Sequence, residues 1–414
     1  MSGLALWHDF CTVTIIDSLR TKSEEGRSAG RILLSTLVLS ETPVSTSPPK
    51  AHLAFIDGLR AVAALFVMVC HAYFEPANGY YASRLMNHLG LTYGHIAVDV
   101  FIVVSGFCLM LPIARRGDQM PPLKQFFTRR ALRILPPYYA SLLLSCLFIV
   151  TVAHDVTGTV WDNSLPLTMP QFLAHLFLIH DLPLGLKGGS INYPLWSIAV
   201  ECQIYLLLPL IVPSLRRFGT AWTLGWTIGL GLLLHVAFQG RLDSATPWYL
   251  GLFTLGAVAA RETLSRPCSF WRPLANGLWT LIVLVIIAKG KVFFGTYSPY
   301  FDTLIGLATA LTMAVTFQDA PTQKFRLTRW LSWPPLARVG LFSYSLYLVH
   351  APLLHACDLV FTYLFHPGPV PMFLLLLGAT PLIVAIAYGF HLIFEKPFLV
   401  ARRVETTSRS LSKF

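Results

Sequence analysis

Apolar residues recur along this chain in long blocks separated by short polar breaks. The blocks fall at residues 54–74, 94–114, 137–154, 194–213, 221–238, 247–261, 275–288, 299–317, 338–356 and 370–394. A helix needs roughly 20 apolar residues to cross the hydrocarbon core of a bilayer. Several blocks are shorter than that, and WYLGLFTLGAVAA is the weakest of them. A further apolar stretch, QFLAHLFLIH at 171–180, is too short to span and reads as a re-entrant or interfacial piece. The pattern predicts an all-α fold, a polytopic membrane helix bundle of about ten transmembrane helices.

Composition sharpens this picture. Of 414 residues, 55% are hydrophobic and 12% charged, and the mean hydropathy is +0.61, values that exclude a soluble globule. A formal net charge of +11 would suit nucleic acid, but no soluble domain exists to carry a basic face, so the charge belongs to topology. With both termini cytoplasmic, and Arg261 and Arg338 at span edges taken with the inside loops, the Lys and Arg residues divide 25 inside to 5 outside, leaving Arg60 within a span. The lipid bilayer is the expected partner and nucleic acid is not. Residues 1–52, with a Ser/Thr/Pro-rich stretch from Thr42 to Pro49, read as a flexible extension. Residues 53–400 form the transmembrane domain and 401–414 a basic cytoplasmic tail. The seven cysteines are scattered without paired spacing and read as packing residues.

Candidate chemistry starts on the first span, in IDGLRAVAALFVMVCH. Eleven helical residues make three turns plus about 20°, with a rise of roughly 16 Å, so Arg60 and His71 share one face. Asp57, three residues before Arg60, can pair with it and reduce the cost of a charge in the membrane. Taken singly, Arg60 serves equally as an interfacial anchor and His71 as an ordinary hydrogen-bonded histidine. Arg130 and Arg133 stand one helical turn apart, ahead of a helix start at Pro136–Pro137, in the densest basic loop; guanidinium forks at that spacing suit phosphate oxygens. Ser197, Glu201 and Tyr205 share a face of the fourth span. Tyr344, Tyr347 and His350 make a polar stripe on the ninth, where packing and an acceptor pocket are equally good readings. Ser105-Gly106-Phe107 reads as close helix packing. The histidines and aspartate of HAPLLHACD (350–358) lack the spacing of two ligands on one face, and no metal is expected.

Five segments together, IDGLRAVAALFVMVCH, VDVFIVVSGF (98–107), FFTRRALRILPPYY (126–139), YPLWSIAVECQIYLLLP (193–209) and FSYSLYLVHAPL (342–353), resemble the acyltransferase 3 family over roughly residues 53–400. The resemblance implies an integral membrane enzyme that moves an acyl group from acyl-CoA to a hydroxyl. It places the family's functional Arg and His on Arg60 and His71, its basic motif on Arg130 and Arg133, and its Trp-Ser-x-x-x-Glu segment on Trp196, Ser197 and Glu201. After Glu201 the match departs mildly: this chain has Cys202 and Gln203 where the family has an acidic or polar residue followed by Gln and an aromatic.

On this reading acyl-CoA, with acetyl-CoA the expected form, is a co-substrate and no cofactor stays bound. Its nucleotide end sits at Arg130 and Arg133, its arm follows the Arg60 face, and His71 acts as general base on an acceptor hydroxyl. Direct transfer is preferred to an acyl-histidine intermediate. The first expectation for the acceptor is a hydroxylated small molecule in secondary metabolism, because the chain ends about twenty residues after the last span and carries an N-terminal extension. An endomembrane such as the endoplasmic reticulum would then be the location in a eukaryote. Acylation of a cell-surface glycan is the alternative. A small-molecule transporter is the non-enzymatic one, and it would require internal repeats that the sequence does not display.

Overall fold

A computed structural model describes residues 53–75, 90–186, 188–267 and 270–399; the N-terminal extension and the basic tail lie outside them. The described residues are helical throughout, without strands. In order they form α1 (Ala54–Phe74), α2 (His95–Ala114), α3 (Leu123–Thr151), α4 (Met169–Leu176), α5 (Trp196–Ala237), α6 (Tyr249–Ser265), α7 (Trp271–Thr296), α8 (Ser298–Asp319), α9 (Arg326–Leu331), α10 (Pro334–Gly340), α11 (Ser343–Phe365) and α12 (Pro369–Phe390). Among the described residues eight helices are long and apolar enough to cross a membrane. All ten apolar runs fall on helices, because two of them share α5 and one occupies the 17-residue α6.

The helix α5 is two helices. At Gly219 the backbone takes φ 82° and ψ −179°, a region in which a side chain would be strained. Twelve residues of straight helix would separate Ser214 from Trp226 by about 18 Å, yet the Trp226 indole donates to Ser214 Oγ at 3.0 Å. The chain therefore doubles back there. Thr220 and Arg261 fasten the turn: Thr220 donates to Glu262 at 2.7 Å and Arg261 to Asp118 at 2.7 Å. Gly290 (φ 73°) breaks α7 in the same way, where the seventh run ends.

One expectation is corrected. The helix carrying the arginine pair begins at Leu123 and contains Pro136 and Pro137, instead of starting at them. Two adjacent prolines remove only two backbone donors, and the strong helix formers of FFTRRALRIL carry the helix through the basic segment. The 171–180 stretch forms the short α4, begun by a capping box between Thr168 and Gln171, and does not span.

Large apolar side chains cover the exterior: Leu143, Leu147, Val150, Leu206, Leu210, Leu284, Leu374 and Leu382 are all more than 45% exposed. Water would penalise such a surface and hydrocarbon does not, so the protein is a multi-pass membrane protein. Inside, small residues let helices approach closely. A Cβ on Gly106 would lie 2.0 Å from the Phe253 carbonyl oxygen, and one on Gly256 would lie 2.0 Å from that of Val103, which bears out the packing role of Ser105-Gly106-Phe107. Among the described residues the cysteines are free, without disulfides.

Gly256→Ala should therefore cost about 1–3 kcal/mol through forced separation of α2 and α6. Gly378→Ala, where a Cβ meets nothing within 4 Å, should be neutral or slightly stabilising. Thermal unfolding of the two variants in detergent compares them directly.

Candidate active site

The site grows from the first helix. Gly58 permits the approach of α9: a Cβ there would lie 1.8 Å from the Leu331 carbonyl oxygen. Gly340 permits α10 to close on Asp57, whose carbonyl oxygen would be 1.9 Å from an added Cβ. Backbones this close fix the turn that carries Asp57 and Arg60. The expected i, i+3 pair forms, with Arg60 Nη1 3.6 Å from Asp57 Oδ1, and Arg60 Nη2 also donates to Cys108 Sγ at 3.4 Å.

These groups open onto a cavity of about 300 Å³ whose lining includes Asp57, Arg60, Arg130, Arg133, Ser197, Glu201, Tyr344 and Tyr347. Eight of the residues singled out in the sequence thus converge from four helices, α1, α3, α5 and α11. Charged and hydroxyl groups share the lining with the apolar Val98, Phe101, Ile102 and Leu109 of α2. Both arginines project from α3 on the side that charge bias assigns to the cytoplasm. Trp196 is not in the lining; it packs its ring against Tyr249 at 6.1 Å between centroids.

His71 and His350 lie just beyond the cavity and meet each other, His71 Nδ1 to His350 Nε2 at 2.8 Å. The chain of hydrogen bonds dictates their tautomers. A backbone carbonyl only accepts, so His350 Nδ1, 2.7 Å from the Tyr347 carbonyl oxygen, carries its proton. In the neutral pair, His350 Nε2 is then an acceptor, His71 Nδ1 donates to it, and His71 Nε2 holds the lone pair. Tyr347 ties this pair to the cavity: its hydroxyl donates to the Pro194 carbonyl at 3.0 Å and lies 2.8 Å from Ser197 Oγ. Tyr344, by contrast, donates to the Ile134 carbonyl at 3.0 Å and braces α3.

Three participants were not named as site residues from sequence, Ser105 having been read only as packing. Ser105 Oγ lies 2.5 Å from the Tyr205 hydroxyl, which in turn donates to Glu201, so that serine belongs to the cavity as well as to the packing seam. Glu395 lines the same cavity and accepts from Ser345 at 2.5 Å; it sits at the end of the last apolar run. Glu75, one turn past His71, accepts from His355 Nδ1 at 2.9 Å with both side chains fully buried. Its spacing of four from His71 was the available signal. Trp161 stacks on His355 at 5.2 Å and Tyr193 sets its ring edge to His71 at 5.0 Å, so the segment between α3 and α5 walls the far side of the imidazole pair.

That segment is held from below by Gln203, which donates to Asp181 at 2.8 Å and to the Leu178 carbonyl at 3.1 Å. Gln203 thus has a structural use outside the cavity. The His175 and His180 rings stack at 3.7 Å. Burial pulls His175 down to about 4; burial and then repulsion from His175 pull His180 down to about 3. Burial pushes Asp181 up to about 6.

The acyltransferase 3 family pattern, described as an acyltransferase domain, matches residues 53–392, and the chain belongs to that family. A Bacillus subtilis (strain 168) protein provisionally named as a peptidoglycan O-acetyltransferase is 26% identical over 321 residues, 72% of this chain and 48% of the relative. A Staphylococcus aureus (strain COL) protein provisionally named as an O-acetyltransferase is 24% identical over 370 residues, 83% of this chain and 56% of its own. The peptidoglycan O-acetyltransferase OatA of Listeria monocytogenes serovar 1/2a is 25% identical over 335 residues, 75% and 50% respectively. The chain spans about half the length of these relatives. No solved structure matches it significantly.

Acid should loosen the segment between α3 and α5. An unfolded imidazole takes its proton near 6.5, the buried pair only near 4 and 3, so over that interval the unfolded state binds more protons and stability falls with pH. Asp181 opposes this between about 6 and 3.8, one group against two. The melting temperature should fall from about pH 7 to about pH 4.5, and fall less in His180→Leu.

Proposed function

We propose that this protein is a membrane-embedded O-acyltransferase that moves an acyl group, acetyl in the first instance, from acyl-CoA to a carbohydrate hydroxyl. The observation that carries this reading is the imidazole pair: a His71 Nε2 lone pair, fixed by His350, stands next to a cavity furnished with cations for a phosphate-bearing donor.

Arg130 and Arg133 bind the nucleotide phosphates through paired hydrogen bonds. Arg60, held by Asp57 and roughly 16 Å along the helix from His71, steadies the arm of the donor and takes no part in the bond changes. The acceptor hydroxyl gives its proton to His71 Nε2 as its oxygen attacks the thioester carbonyl. The carbon–sulfur bond breaks, and the leaving thiolate takes the proton back from the imidazolium. His350 accepts the Nδ1–H bond throughout, and that bond strengthens as His71 becomes charged. The direct route needs no acyl-enzyme.

The acceptor follows from the relatives' names. Two of the three are named peptidoglycan O-acetyltransferases, provisionally in one case, which supports a cell-surface glycan over the small metabolite first expected. The Tyr193 ring beside His71, with Trp161 behind it, suits the apolar face of a sugar ring.

Purified protein incubated with acetyl-CoA and either N-acetylglucosamine oligomers or small alcohols should release free CoA and give an acetyl mass increment on the oligomers; CoA release with neither acceptor, or only with the small alcohols, rejects the glycan. His71→Ala should lower kcat by about 100-fold or more while the variant still extracts and melts as wild type, and normal turnover would reject the base. His350→Phe should lower kcat about 10–100-fold with donor KM unchanged, and His350→Gln should recover part of the loss. Arg130→Ala combined with Arg133→Ala should raise donor KM more than acceptor KM.

A further inference from the structure

A second polar cluster lies away from the cavity, where the first turns of α2 and α8 meet. Asp99 is completely buried and Asp302 3% exposed. Neither Asp99 oxygen has a hydrogen-bond partner, and Asp302 Oδ1 has none. The other Asp302 oxygen accepts from the Trp248 indole at 2.9 Å. The Tyr249 phenol faces Asp99 and interacts with its carboxyl group. His95, on the same face of α2 as Asp99 and one turn earlier, points Nε2 at Asp302 Oδ1 from 3.5 Å. Among the described residues no lysine or arginine pairs with either carboxylate.

We propose that His95, Asp99 and Asp302 bind one divalent transition-metal ion. One nitrogen and one oxygen from each carboxylate lie within 4.8 Å of one another. A four-coordinate metal with bonds of about 2.0–2.2 Å keeps such atoms about 3.3–3.6 Å apart, so a closure of about an ångström, within reach of side-chain rotation, completes the site. Two carboxylates and a neutral imidazole balance a double positive charge, and the mixed nitrogen and oxygen set suits zinc or manganese better than magnesium or calcium. The Trp248 indole supplies the outer hydrogen bond that orients Asp302. His95 keeps 35% of its side chain exposed, which leaves a path for the ion to enter. Its role is structural: it joins α2 to α8 and, through Trp248, to the start of α6. The site does not depend on the acyl-transfer reading, since none of its residues lines the cavity.

The test uses the full chain purified in detergent without chelator. Elemental analysis by mass spectrometry should find about one first-row divalent ion per chain. Chelation should lower the melting temperature by at least about 3 °C, and micromolar ZnCl2 or MnCl2 should restore it. Asp99→Asn should carry no metal and show no metal-dependent shift. His95→Phe, at the partly exposed position, provides a second variant in case Asp99→Asn does not fold; it should lose the absorption bands that Co²⁺ gives in the wild-type protein. A wild-type chain with only traces of metal and a melting temperature indifferent to chelator and added ions would overturn the proposal, and would make the two carboxylates a proton-sharing pair. Equal metal content in wild type and both variants would overturn it too.

Discussion

A hydrogen bond between two imidazoles, brought together across 279 positions of sequence, organises the candidate active site of this protein. Each histidine alone would be a polar group buried at some cost in a membrane helix. Joined, and anchored to a main-chain carbonyl, they have one arrangement of protons and present one basic nitrogen. The rest of the site supports that arrangement. Tyr347 contributes its carbonyl to His350 and its hydroxyl to the Ser197 end of α5, while α1 is held against α9 and α10 by backbone contacts that only glycines at 58 and 340 allow.

Much of this was legible in the sequence because membranes simplify the code. A helix in lipid satisfies its own backbone, so apolar block length located the spans, and polar residues inside those blocks had to be either paired or functional. Asp57 with Arg60, the two arginines of α3, and the Ser197–Glu201 face all followed from helical spacing. What spacing cannot supply is the partner across helices. His350 was one member of an undecided stripe until His71 was found against it. Ser105 looked like packing because Tyr205 is a hundred residues away. Asp99 and Asp302, more than two hundred residues apart, carried no joint signal at all.

Boundaries failed where local rules met a stronger constraint. Pro136 and Pro137 suggested a helix start, but the upstream segment has its own helical preference, and the helix absorbs both prolines. Conversely, Gly219 ends one crossing and begins another with only the short Arg216–Arg217 break ahead of it, since a single positive φ turns the chain. The two cases show the same principle from opposite sides: a residue's conformational bias decides the local path only when neighbouring residues do not already fix it.

The tether at Gln203 has a mechanical corollary. It sits two residues beyond Glu201 on the same rigid rod, and its amide grips the segment that roofs the imidazoles from the opposite membrane face. Lifting that roof therefore pulls on the rod that furnishes the inner chamber, so that on the proposed function the seating of an acceptor and the fit of a donor would be linked through one side chain.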